Sequence, residues 1–61
     1  MSQSQILATI REDAAAFGTN PVTYLLEEAA SSRAWGDFET ARHALRHAAQ
    51  FRSLGNGPRL P

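Results

Sequence analysis

The sequence predicts an all-α protein, a small bundle of three short helices followed by a flexible C-terminal tail. Three observations carry that expectation. Apolar residues recur at spacings of three and four in three separate windows, nothing alternates with a period of two, and glycine or proline breaks the pattern at each junction. The expected helices span about 3–17, 21–35 and 38–54, so residues 1–54 form one domain and 55–61 the tail.

The first helix starts at Ser2-Gln3-Ser4-Gln5, which has the form of a capping box. The serine hydroxyl accepts a backbone N–H three residues on, and Gln5 reaches back. Ile6, Ile10, Ala14 and Phe17 then recur at helical spacing, with Leu7 widening the stripe, and Gly18 follows as a left-handed terminator. Asn20-Pro21 opens the second helix as N-cap and first helical residue. Its apolar face is Val22, Leu25, Leu26, Ala29 and Ala30, with Glu27 and Glu28 toward water and Gly36 as the stop. Asp37 caps the third helix. Phe38, Ala41, Ala44, Leu45, Ala48 and Phe51 line one side of it, and Glu39, Arg42, His43, Arg46, His47 and Gln50 the other. From Gly55 to Pro61 chain breakers stand at nearly every position.

The expected core is Ile6, Leu7, Ile10, Phe17, Val22, Leu25, Leu26, Trp35, Phe38, Leu45 and Phe51, with alanines at facing positions allowing close helix approach. Short connections imply antiparallel neighbours. A domain of 61 residues buries only about 60% of the surface its unfolded chain exposes. Its core supplies about 3–5 kcal/mol. There is no cysteine, so disulfides and thiolate zinc sites are excluded; self-association as a homodimer or docking onto a partner would add what the thin core lacks.

Residues 1–40 hold two arginines against six carboxylates, a net −4, whereas residues 41–61 hold four arginines and no carboxylate, a net +4. That split is explained either internally, by a basic third helix beside acidic neighbours, or by a basic surface meant for an acidic partner. Every cation is arginine, a compositional hint of a GC-rich bacterial or phage genome. The segment Met1–Gln5 has no basic cluster ahead of an apolar run, and no stretch approaches the roughly 20 residues of a membrane span. A soluble cytoplasmic protein is expected.

Chemistry-bearing patterns are sparse. Glu39, His43 and His47 stand at spacings of four on one helix face, and two such histidines can chelate a divalent metal. A proper site needs further ligands, and the expected reading is a polar face with no metal and no cofactor. The serines are explained as caps or helix-end residues, and neither a phosphate-binding loop nor a nucleophile elbow occurs, so no enzymatic activity is expected. A helix-turn-helix reading would put Arg42 and Arg46 in a major groove. It also places Arg42 where that motif wants an apolar residue, and the balanced net charge lacks the usual basic footprint.

Trp35-Gly36-Asp37-Phe38-Glu39-Thr40-Ala41, continuing through Leu45 to Ala48, resembles the junction between the two helices of a tetratricopeptide repeat. Upstream, the family's first-helix positions fall on Leu25, Glu28 and Ala29, which match only in part, and the closing proline is missing. The resemblance implies a helical hairpin that binds protein and performs no chemistry.

The function expected from these readings is a small protein-binding regulator, phage- or mobile-element-encoded, that occupies a partner protein's surface. The candidate partner-binding residues are Arg42, His43, Arg46, His47, Trp35 and Tyr24. Trp35 is open between closing the bundle and anchoring a partner. The alternatives are a nucleic-acid-binding regulator using the third helix and a structural assembly subunit.

Overall fold

Each helix begins where a short polar side chain can take up a backbone donor that the helix itself leaves orphaned. In the computed structural model, which describes residues 2–55, these starts give α1 Gln3–Ala16, α2 Pro21–Ala34 and α3 Phe38–Ser53. Among the described residues there is no strand. The capping box forms as the sequence predicts, with Gln5 N–H donating to Ser2 Oγ at 3.3 Å and Ser2 N–H to Gln5 Oε1 at 3.1 Å. Thr23 N–H donates to Asn20 Oδ1 at 2.9 Å, with Pro21 at the first helical position. Thr40 N–H donates to Asp37 Oδ1 at 3.1 Å. Hydrogen bonds from the Thr40 side chain and backbone hold the Asp37 carboxyl below its ordinary range.

The helices end one residue earlier than the apolar pattern suggests. Phe17, Trp35 and Leu54 are C-caps. After the first two, a left-handed glycine turns the chain back: Gly18 at φ 70° and Gly36 at φ 81°. The N–H groups of Thr19 and Asp37 then reach Ala14 and Ser32 carbonyls at 3.0 and 2.9 Å, closing Schellman motifs. The expected tail beyond Gly55 lies outside the described residues.

The main interface joins α2 and α3. Val22, Leu25 and Ala29 from α2 and Ala41, Ala44, Ala48 and Phe51 from α3 form one buried cluster. It runs from the turn to the far ends, so the two helices lie antiparallel along their length. Three alanines on α3 allow the backbones to approach closely, and Phe51 and Val22, fully buried, fill the far end. Burying such side chains contributes about 1.5–3 kcal/mol each. The helix α1 lies against one side of this hairpin, burying Ala14 and packing Leu7 and Ile10 partly against the cluster.

The core differs from the expected one. Val22, Leu25 and Phe51 are buried and Ile6, Leu7 and Ile10 half-buried, but Phe17, Leu26, Trp35, Phe38 and Leu45 are exposed. Two physical causes account for the exposure of Phe17, Leu26, Trp35 and Leu45. Alanine at the seam draws α2 and α3 so near that the larger side chains one position away stand outside it. Phe17 and Trp35 are C-caps, placed where the helix stops covering its own last turn. Trp35, at 87% exposure, does not close the bundle.

Candidate interaction surfaces

Helical geometry sorts the hairpin into two sides. Each successive residue is turned by about 100°, so the residue before a core position flanks the seam on one side and the residue after it on the other. Because α2 and α3 are antiparallel and equally right-handed, the "before" positions of both helices share a side. So do the "after" positions.

The "before" side is the one α1 occupies. Ile10 and Asp13 of α1 line a crevice with Tyr24 and Glu28 of α2 and with His43 and His47 of α3. Here His47 Nδ1 lies 3.0 Å from Gln50 Oε1, and His43 Nε2 lies 4.0 Å from Glu39 Oε1. The Tyr24 phenol is pushed above its ordinary pKa, first by desolvation and then by the negative charges of Glu28 and Asp13. Its ring stacks on Phe17, with centroids 5.8 Å apart and planes 27° apart. Outside that stack an open groove lined by Thr19, Glu27, Glu28 and Ser31 runs along α2. Among the described residues, no group of three or more histidine or acidic side chains is placed to hold a metal ion.

Among the described residues, nothing lies over the "after" side. Leu26 and Ala30 of α2 and Leu45, Ala49 and Arg52 of α3 follow core positions there, Arg33 continues the α2 row seven residues after Leu26, and all six are exposed. Leu26 and Leu45 keep 38% and 39% of their surface exposed, large values for leucines so close to a core. Arg42 and Phe38 extend the same stripe on α3, and Arg46 points directly away from the seam.

The six sequence-predicted site residues therefore separate. Tyr24, His43 and His47 are brought together in the crevice beside α1. Arg42 and Arg46 lie on the bare and outer surfaces of α3, and Trp35 stands at the hairpin tip. The polar side of α3 is thus not one solvated face, since His47 and Gln50 are half-buried.

Sequence reading placed Leu26 and Leu45 in the core and gave Arg33 and Arg52 no site role, yet a signal for all four was present. The strings Leu26-Glu27-Glu28-Ala29-Ala30-Ser31-Ser32-Arg33 and Leu45-Arg46-His47-Ala48-Ala49-Gln50-Phe51-Arg52 share the pattern Leu-x-x-Ala-Ala-x-x-Arg. In both, the first alanine is buried and the second exposed, so the two helices use the repeated pattern in the same register.

No family model matches the chain, and no curated protein or solved structure matches it either.

Proposed function

We propose that the protein is a non-enzymatic binding protein that acts by laying the bare side of its α2–α3 hairpin against a partner protein. The observation that carries this reading is the exposed apolar strip of Leu26, Ala30, Leu45 and Ala49, on the side of the α2–α3 hairpin opposite α1. A chain with so few large apolar residues that leaves several outside its core has surface suited to association. Phe38 and Trp35, at 62% and 87% exposure, stand at the tip of the same hairpin, and aromatics and arginines are enriched among residues that anchor interfaces. The likeness of Gly36–Ala48 to a tetratricopeptide-repeat junction supports the same reading, since that family binds protein and performs no chemistry. No helix of the described residues is long and apolar enough to cross a membrane. The cysteine-free, arginine-only composition supports a regulator that works in a reducing cytoplasm and originates from a phage or mobile element.

Photo-crosslinking in producing cells tests this. A photoreactive residue in place of Leu45 should yield a discrete protein adduct, and one in place of Ala8, exposed on α1, should not. The charge reversal Arg42→Glu should remove the adduct while leaving helicity unchanged, and Arg46→Glu, on the outer surface, should not. Equal labelling from both positions, or adducts to nucleic acid in place of protein, would overturn the proposal.

A further inference from the structure

We infer that the partner segment received by this face is an acidic amphipathic helix of about three turns, with carboxylates at both ends. The inference rests on the protein-binding reading above and specifies the chemistry of that same site.

The argument starts from the repeated Leu-x-x-Ala-Ala-x-x-Arg pattern. Placed on two antiparallel helices in equivalent register, it generates a face with an approximate twofold axis through the seam. Leu26 and Leu45 fall toward its middle, on opposite sides of the seam, with Ala30 and Ala49 beside them. Arg33, in the last turn of α2, lies at the turn end, and Arg52, in the last turn of α3, lies at the other. Arg33 lies at the turn end beside the start of α3 and Arg52 in its last turn, so the two stand about 18 Å apart along the hairpin at 1.5 Å per residue. Arginine in a last turn also suits the helix dipole, but that preference does not select the exposed side of the seam for both.

Three features then define the occupant. The strip is apolar and follows the seam between two antiparallel helices, which suits a helix presenting anchors at spacings of three and four. Both ends are cationic, Arg42 adds a third cation on the flank, and among the described residues no carboxylate follows a core position on this side. The partner's matching positions must therefore be acidic. A second copy does not fit: with arginine at both ends, two such faces stacked in either direction bring Arg33 or Arg52 against another arginine. Nucleic acid would meet the cations but leave Leu26 and Leu45 against phosphate, where they gain nothing.

The test uses the full chain and a fluorescently labelled synthetic helix carrying leucine and alanine on one face and glutamate at both ends, followed by fluorescence anisotropy. A companion peptide with glutamine in place of glutamate is the control. The acidic peptide should bind and the control should bind more weakly. Arg33→Gln and Arg52→Gln should each weaken binding by about two- to fivefold, to similar extents, and by about tenfold together, with helicity retained by circular dichroism. Any of three results would overturn the inference: no binding at low ionic strength, equal binding of the two peptides, or stronger binding of duplex DNA or phosphatidylglycerol vesicles. Concentration-dependent self-association abolished by Arg33→Gln and Arg52→Gln would overturn it too, by making a second copy the occupant. If the peptide fails while Leu45 still crosslinks to a protein, the acidic-helix inference falls and the binding reading stands; if both fail, both fall.

Discussion

The guanidinium of Arg11 lies over the ring of Phe51, its central carbon 5.3 Å from the ring centre. Phe51 has no exposed surface and Arg11 is exposed, so a charged side chain of α1 forms part of the lid over the largest core residue of α3. The aliphatic stem covers apolar surface while the charge stays in water. This contact ties α1 to the open end of the hairpin, away from the α2–α3 turn.

Arg11→Ala should lower unfolding free energy by about 0.5–1 kcal/mol, the usual size of an exposed cation–π contact, measured by urea denaturation. Phe51→Ala should cost about 3–5 kcal/mol, comparable to the whole stability expected of so small a core, and leave the chain largely unfolded. A folded Phe51→Ala variant with a near-normal midpoint would show that the far end of the hairpin contributes little.

The alanine seam makes a sharper contrast. Ala44 is buried between α2 and α3, whereas Ala49 stands on the bare side. Ala44→Leu should destabilise by about 1–3 kcal/mol through overpacking, and Ala49→Leu should stay within about 0.5 kcal/mol of the parent. Equal midpoints for the two variants in thermal melts would contradict the close approach of the helices.

Gly36 holds φ 81° at the turn, and a Cβ built there would meet nothing within 4 Å. The cost of Gly36→Ala is therefore conformational and should be about 1–2 kcal/mol, with Gly36→Asn costing less because asparagine tolerates the left-handed region. Denaturant midpoints of both variants check the order. A destabilised Asn variant equal to the Ala variant would mean that the turn itself rearranges.

Tyr24 is the sole tyrosine, so phenolate absorbance reads it directly. Its pKa is raised in the folded chain above the ordinary 10.0, which means the folded state favours the neutral phenol. The stability linked to this group is fully present below 10.0 and is lost as pH rises through the raised folded value. The titration midpoint should fall when the chain is unfolded in urea. Glu28→Gln should lower it in the folded state, by removing one of the negative charges beside the phenol. A native midpoint at or below that of the unfolded chain would contradict the placement of Tyr24 between Glu28 and Asp13.

What could be read from the residues alone was everything that acts within one or two turns. Ser2, Asn20 and Asp37 cap their helices, and Gly18 and Gly36 reverse the chain, because each partner lies only three to five residues away. Helix number and boundaries follow from those local interactions together with apolar periodicity. Which apolar residues become core does not. On α2 and α3 the apolar stripe is wider than one neighbouring helix can cover, so Leu25 and Leu26, or Ala44 and Leu45, are equivalent by pattern. Tertiary packing chose between them: the alanine seam decided which positions face inward, and α1, being a single helix, could cover only one flank. That choice buried Phe51, set Tyr24, His43 and His47 against α1, and left Leu26, Leu45, Arg33 and Arg52 together on the open side.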